Sequence, residues 1–327
     1  MARQSLKKSL SNVTQSSREM ASYPIVCSFL PAATNILVAL GLEHLVHAVT
    51  FECPMDRPRI IHSSLHEKDL SADEINTLIA QHKQESTTVN TIDEELLLKI
   101  KPDIIFTQAI CNVCQIGEDD VNKALKKYPL QTQVYSLNPK SLEDVFETIH
   151  TVAKACGYPE KGDMLISSLK EINRGIEEKL SQHHRALKKC SFFEWMEPTF
   201  NCGHWIPDQL KIAGGYDELA NPNGYSYPVA IKEKKNYNPE IIIFSACGMS
   251  LHQSLEEVEK VLSDPFWKSL SAYQNGKIWI VDGNLFTQPG PELVNGVLLL
   301  AALFNPDLFE FSPELDGKYV QFREPAK

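Results

Sequence analysis

The sequence predicts an α/β protein of two lobes, each built on a mostly parallel sheet, joined by a single long backbone helix with a ligand cleft between the lobes. Three observations support this fold class. Short apolar runs alternate with amphipathic segments in both halves of the chain, as in parallel sheets covered by helices. A long helical pattern over residues 160–184 separates the halves. Loops rich in functional groups follow several strands, and ligands bind at that edge of α/β sheets.

Composition limits the classes of protein that need to be considered. The chain has 327 residues, of which 43% are apolar, so it can form two folded domains. The net charge is −10 and basic residues form no long run, which argues against nucleic acid as a partner. The longest uninterrupted apolar segment, Val297–Phe304, is far shorter than the roughly 20 residues of a membrane span.

The N-terminal residues 1–22 are predicted to be a disordered tail. They are rich in serine and in basic residues and lack the apolar core of a secretory signal, which favours a cytoplasmic protein. The same composition is also typical of an organellar transit peptide, which is the alternative. Eight cysteines without disulfide-scaffold spacing are interpreted as thiols in a reducing compartment.

Residues 23–140 are predicted to form the N-terminal lobe. Pro31 in the first turn and Gly41 at the end delimit one helix, and Ser71 caps another. The predicted strands are Tyr23–Phe29, Val46–Phe51, Arg59–His62, Ile104–Phe106 and Gln133–Leu137, and the predicted helices cover residues 30–41, 71–79 and 93–100.

Residues 141–186 are predicted to be connecting helices. Ser141 begins an apolar stripe with helical spacing that continues to Cys156. A second stripe over residues 160–184 corresponds to a helix of about 36 Å at 1.5 Å per residue. Because that is long for a crossover between strands, this helix is interpreted as a rigid connector.

Residues 187–312 are predicted to form the C-terminal lobe, and residues 313–327 a C-terminal tail. The same alternation of elements recurs in this half. The predicted strands are Ser191–Phe193, Ile241–Phe244 and Ile278–Val281, and the predicted helices are Ile206–Ala213, Leu255–Leu262 and Glu292–Phe304.

Residues 191–215 carry the strongest functional signal, because a strand leads into a loop with two carboxylates, two tryptophans, a cysteine and a histidine. The candidate ligand contacts in this loop are Glu194, Trp195, Glu197, His204 and Trp205. For each residue alone the alternative is an ordinary structural role, with the tryptophans in the core and His204 hydrogen-bonded. Their concentration in one short loop favours a site.

Other strands also end in reactive groups. The further candidates are Phe51, Glu52 and Cys53 after the second strand, Cys111 and Cys114 after Ile104–Phe106, and Cys247 with Gly248 after Ile241–Phe244. The two-lobe fold predicts that these loops converge. Cys111 and Cys114 alone are weak evidence of a metal site, because a structural zinc site needs four ligands. Cys53 with His204 or Cys247 could complete such a set, and a redox pair or purely structural thiols are the alternatives.

Several motifs together resemble a known family. They are Ser-Phe-Leu-Pro-Ala-Ala-Thr-Asn-Ile-Leu at 28–37, Thr-Phe-Glu-Cys-Pro at 50–54, Lys-Pro-Asp-Ile-Ile-Phe-Thr-Gln at 101–108, Cys-Asn-Val-Cys at 111–114, Glu194-Trp195, Gly203-His204-Trp205, Ala213-Gly214-Gly215, Cys247-Gly248, Asp282-Gly283-Asn284 and Pro289-Gly290-Pro291. From residue 24 to about 306 the chain resembles the cobalamin and iron-siderophore substrate-binding proteins of ABC importers, most closely the cobalamin-binding branch.

This resemblance implies two lobes on a long backbone helix, small hinge motion, and a metal chelate held in the cleft. Family members that serve a transporter carry a signal peptide or a lipoprotein cysteine, and neither is recognised in this sequence. The expectation is therefore the family's fold without its transporter partner.

Two functions are predicted from different classes. The first is a soluble binding protein for a corrinoid or related metal chelate, with Phe51, Trp195 and Trp205 covering the ligand's apolar faces. In this hypothesis His204 ligates the cobalt or iron axially. The second is a metal- or thiol-dependent enzyme that uses Cys53, Cys111, Cys114 and His204, with zinc or iron as its metal.

Overall fold

The computed structural model describes residues 23–65, 70–85, 88–108, 118–127 and 131–324. Two separate sheets, each covered by helices, form two lobes, so the predicted two-lobed α/β architecture is confirmed. The predicted tail over residues 1–22 lies outside the described residues, and so do Cys111 and Cys114.

The sheet of the first lobe has the spatial strand order β4-β3-β2-β1-β5-β6. The strands are β1 (Val26–Ser28), β2 (Val46–Thr50), β3 (Arg59–Ser63), β4 (Asn90–Ile92), β5 (Ile104–Thr107) and β6 (Gln133–Ser136). All pairs are parallel except β3 with β4. All residues of the interior strand β5 are buried, because helices cover both faces of a parallel sheet.

The first lobe contains four α-helices among the described residues, besides a short 3-10 helix, Glu43–Leu45. They are α1 (Pro31–Ala39), α2 (Ala72–Gln84), α3 (Glu94–Ile100) and α4 (Glu118–Lys126). The Asp93 side chain caps α3 by accepting a hydrogen bond from the backbone N–H of Leu96. The strand β4 and the helix α4 were not predicted from the sequence.

Two helices connect the lobes, as predicted: α5 (Leu142–Ala155) and α6 (Pro159–Gln182). Ser141 and Asp144 form a capping box at the start of α5. With 24 residues, α6 is about 36 Å long.

Helix α6 is fixed to both lobes. Near its start the Lys161 ammonium donates to the carbonyl oxygen of Leu40, 2.9 Å away in the first lobe. Just beyond its end Arg185 forms an ion pair with Asp307 of the second lobe. One continuous apolar cluster includes residues of both lobes together with Leu180 of α6. The interpretation of this helix as a connector is therefore supported by contacts at both ends.

The sheet of the second lobe has the order β10-β7-β12-β13-β14, with β8 paired to β7 and a separate pair β11-β9. The strands are β7 (Lys188–Trp195), β8 (Phe200–Asn201), β9 (Gly203–His204), β10 (Gly215–Tyr216), β11 (Asn221–Pro222), β12 (Ile241–Phe244), β13 (Ile278–Val281) and β14 (Tyr319–Gln321). Within the segment predicted as a tail, Tyr319–Gln321 thus form an antiparallel edge strand of this sheet.

The helices of the second lobe are α7 (Ile206–Ile212), α8 (Ile231–Tyr237), α9 (Leu251–Leu262), α10 (Pro265–Lys268), α11 (Ser271–Gln274) and α12 (Leu293–Phe304). Helix α12 is apolar around most of its circumference and lies in the core. Within the part of the chain that the structure describes, no helix has the length and apolar character needed to span a bilayer.

Candidate functional site

A cavity lies in the groove between the lobes and is called the main cavity here. It encloses about 360 Å³ of empty space that is open to solvent. Its lining residues follow the carboxyl ends of strands in both lobes: Leu30, Pro31, Ala32, Glu52 and Gln108 in the first, and Cys247, Gly248, Thr287, Gln288 and Pro289 in the second. The structure therefore brings three predicted residues, Glu52, Cys247 and Gly248, to one place.

Two groups give the main cavity its polar character. The Glu52 carboxyl is exposed to the solvent in the groove, while desolvation by the surrounding protein raises its pKa. Gln108 is only 4% exposed, and its Oε1 has no hydrogen-bond partner among the described residues. Because a buried carbonyl without a partner destabilises the fold, Gln108 is suited to accept a hydrogen bond from a molecule in the cavity.

Contacts between the lobes hold the groove narrow. The Asn35 side chain donates to Oε1 of Gln288 at 3.3 Å. On helix α2, the Asn76 side chain donates to the carbonyl oxygen of Glu197 at 2.9 Å, and the neighbouring Ile75 packs against the apolar cluster of the second lobe. The side chain of Glu197 itself is exposed.

A second cavity, called the His204 cavity, has about 340 Å³ of empty space, which includes open solvent. It is lined by Asn138, Pro139 and Lys140 of the first lobe and by His204, Asn223, Gly224 and Tyr225 of the second. The two cavities share no lining residue. In the first lobe their linings follow neighbouring strands, because β6, which precedes Asn138, pairs with β5, which precedes Gln108.

His204 is held rigidly at this cavity. Its backbone has φ 51°, and its N–H donates to the carbonyl oxygen of Gly224 at 2.7 Å. Its ring lies between Trp205 and Tyr225, with centroid distances of 5.4 and 5.2 Å. Burial, with a smaller contribution from Lys140, lowers the pKa of His204, so the imidazole is neutral at pH 7. Its Nε2 is buried and has no partner among the described residues.

Gly203 makes this local structure possible. A Cβ atom at this position would lie 2.4 Å from the carbonyl oxygen of Gly224. Only glycine therefore allows the segment before His204 to lie against the turn that carries Tyr225.

Two predicted site residues are core residues instead. Cys53 is 2% exposed, its Sγ lies 3.1 Å from Oγ1 of Thr34, and burial raises the pKa of its thiol. Trp205 is 4% exposed, and its indole N–H donates to the carbonyl oxygen of Phe286 at 2.6 Å. Both were assigned from their place on a loop, but each side chain is directed into packed protein.

The aromatic residues Phe51 and Trp195 are half-buried and pack on the apolar clusters of their own lobes. The tetrahedral metal site is not assembled by the described residues, because Cys53 is buried in the first lobe whereas His204 lines the second cavity. The same described part of the chain contains no group of three or more His, Cys, Asp or Glu side chains placed to hold a metal ion. Cys111 and Cys114, the remaining members of the predicted set, lie outside it.

Sequence reasoning missed several lining residues. Gln108 and the pair Thr287 and Gln288 follow strands β5 and β13, so the rule that identified Glu52 could also have identified them. Lys140 follows strand β6 and could have been found by the same rule, whereas Tyr225 carried no such signal, because it reaches the cavity from a turn.

The Glu194 carboxyl lies in a desolvated environment, which makes the stability of the fold depend on pH. Its Oε1 accepts a hydrogen bond from the N–H of Gly203 at 2.8 Å, and desolvation raises its pKa to about 7. The pKa of Asp217 is also raised to about 7, again mainly by desolvation. Both carboxyls therefore bind a proton more tightly in the folded than in the unfolded chain.

The free energy of unfolding is therefore expected to fall as pH rises from about 4.5 to about 7, and this trend should level off above pH 7. Glu194→Gln keeps an acceptor for Gly203 but cannot ionise. Between pH 5 and 8, the free energy of unfolding of this variant should fall by roughly 2 kcal/mol less than that of the wild type. Denaturant unfolding at each pH measures the difference. A decline of the same size in both proteins would contradict the burial of this carboxyl.

The chain is similar to known proteins over most of its length. A family model described as "Periplasmic binding protein" matches residues 59–285. The chain is 23% identical over 290 residues to the "Uncharacterized ABC transporter substrate-binding lipoprotein YvrC" of Bacillus subtilis (strain 168), covering 87% of this chain and 81% of the relative. It is 21% identical over 280 residues to the "Vitamin B12-binding protein" of Vibrio cholerae, covering 83% and 86%.

Solved structures share the fold. The crystal structure of S. aureus IsdE complexed with heme superposes with a TM-score of 0.65 at 17% sequence identity. The superposition covers 86% of this chain and 98% of that one.

Proposed function

Because the chain belongs to the periplasmic binding protein family, we propose that it binds a metal chelate of the corrinoid or haem class in the groove between its lobes. The observation that carries this proposal is the main cavity, which takes lining residues from both lobes, among them Gln108, whose buried side-chain oxygen has no hydrogen-bond partner among the described residues. The names of its relatives support the ligand class, since one is a vitamin B12-binding protein and another was crystallised with heme.

The chemistry of the main cavity suits such a ligand. Corrins and haems have broad apolar faces and polar edges. Leu30, Ala32 and Pro289 form an apolar part of the lining, but Leu30 and Ala32 are only 1% and 2% exposed, so the apolar contribution, roughly 25 cal/mol for each Å² removed from water, is small. Thr287 and Gln288 add hydrogen-bonding groups that can fix the ligand's orientation. In this proposal the metal enters the groove as part of the ligand.

A thermal-shift titration tests the proposal. Cyanocobalamin, dicyanocobinamide and haemin are added separately to the purified protein, and the unfolding temperature and the absorbance spectrum are recorded. At least one compound should raise the unfolding temperature, because a ligand at about 100 times its Kd stabilises the fold by about 2.7 kcal/mol. If none of the three changes either signal, the protein is not a binder of this class.

A further inference from the structure

The His204 cavity has an unusual charge for this protein. The chain has a net charge of −10, yet the described residues that line this cavity include Lys140 and no Asp or Glu. Two carboxylates lie near Lys140: Asp144 accepts hydrogen bonds from the backbone N–H groups of Lys140 and Ser141 at 2.9 and 3.0 Å, and Asp208 accepts one from the N–H of Leu142 at 2.9 Å. The ammonium of Lys140 is exposed at the cavity.

The same cavity contains a fixed hydrogen-bonding group. Nε2 of His204 is buried without a partner among the described residues, although a buried polar atom normally has one. The neutral imidazole can present an N–H at this nitrogen, and Trp205 and Tyr225 hold the ring in place. A lysine and an imidazole with an unpartnered nitrogen, both among the residues that line one small cavity, are suited to bind an anionic group.

Neighbouring strands of the first lobe lead to the two cavities. Strands β5 and β6 supply Gln108 to one cavity and Asn138 to the other, and the N–H of Leu137 donates to the carbonyl oxygen of Thr107 at 2.8 Å. In the second lobe Cys247 follows β12, whereas His204 lies in β9, nine residues beyond the end of β7, which pairs with β12. Adjacent strands are about 4.8 Å apart, so in the first lobe a ligand wider than one strand spacing can extend from the loop after β5 to the loop after β6.

We propose that the His204 cavity binds an anionic arm of the chelate, a phosphate or a carboxylate attached to the ring system in the main cavity, through Lys140 and His204. This inference rests on the proposed function and specifies its ligand as a chelate that carries such an arm. It also gives His204 a different role from the axial metal ligation predicted from the sequence, because the imidazole recognises the arm and does not contact the metal.

Two pairs of compounds test the arm, and in each pair one member lacks the anionic group. Cyanocobalamin carries a phosphate in its nucleotide loop, and dicyanocobinamide lacks the whole loop with its phosphate, so the Lys140 variant below is needed to assign a difference to the charge. Haemin carries two carboxylates, which are esterified in haemin dimethyl ester. Spectrophotometric titration of the full chain should show at least one pair whose anionic member binds about tenfold more tightly or better, as expected for a charge-assisted hydrogen bond.

Variants of Lys140 and His204 test whether the preference for the anionic compound arises in the His204 cavity. Lys140→Met should remove most of the preference within the pair, whereas Lys154→Met, which makes the same charge change at an exposed position near the end of α5, should leave it intact. His204→Asn should weaken binding of the anionic compound by about tenfold. It should leave the absorbance spectrum of the bound chelate unchanged. Asparagine is chosen because it tolerates the left-handed backbone at this position. Thermal unfolding of each variant confirms that it is folded.

The outcomes separate the two levels of the proposal. If the members of both pairs bind equally, or if Lys140→Met leaves the preference unchanged, the arm site is contradicted while the binding function stands. If His204→Asn changes the spectrum of the bound chelate, the histidine is a metal ligand and its assignment to the arm is overturned. If all four compounds fail to bind, the proposed function fails and the arm site with it.

Discussion

Trp205→Ala is expected to lower the free energy of unfolding by about 4 kcal/mol, because it removes a large side chain from packed core. Trp205 is 4% exposed and belongs to the apolar cluster that extends through both lobes and helix α6. The substitution also leaves the carbonyl oxygen of Phe286 without the indole N–H that now donates to it at 2.6 Å. Denaturant unfolding followed by circular dichroism measures the loss as a lower midpoint.

Trp205→Phe is the matched control. It keeps an aromatic ring in the core but removes the N–H donor, so a smaller loss of about 1 to 3 kcal/mol is expected. A different result would support the ligand contact that the sequence predicted for Trp205. If Trp205→Ala unfolds like the wild type and instead abolishes binding of the chelate, Trp205 contacts ligand and the structural role assigned here is wrong.

Cys247→Trp is expected to weaken binding of the chelate at least about a hundredfold, which corresponds to about 2.7 kcal/mol. Cys247 is exposed and lies opposite Glu52 and Gln108 across the main cavity. An indole at this position would fill space that the ligand needs. Because the side chain is at the surface of the second lobe, the variant should fold normally, and spectrophotometric titration with the best ligand measures the change in Kd.

Cys247→Ser is the control for this experiment. It preserves the size of the side chain, so the cavity stays open and a steric model predicts an affinity within a few-fold of the wild type. If Cys247→Ser weakens binding as much as Cys247→Trp does, the thiol itself contacts the ligand. Unchanged binding by Cys247→Trp would place the ligand outside the main cavity.

Much of the fold could be predicted because its signals are local. Ser141 and Asp144 form the capping box that starts α5, and the apolar stripe of α6 appears directly in the sequence. Buried strands such as β5 and β12 are continuous apolar runs. The strand β4 was missed because its three residues include polar Asn90 and Thr91, and their pairing with β3 is a long-range contact.

The site could be predicted only in part. Glu52, Cys247 and Gly248 were found because the position of a loop after a strand is visible in the sequence. The direction of a side chain on that loop depends on the tertiary packing, so Cys53 and Glu52, which are adjacent in sequence, differ completely in exposure. Tyr225 reaches the His204 cavity from a turn, and no local pattern encodes this position.

The anchoring of α6 to both lobes has a consequence for how a ligand enters. A peptide hinge would let the lobes rotate freely, whereas a packed helix of 24 residues resists rotation and stores any displacement as elastic bending. The groove between the lobes is then expected to have its binding shape before a ligand enters it. Because a preorganised surface loses less entropy on association, we expect closure of the lobes to contribute little to the affinity for a ligand.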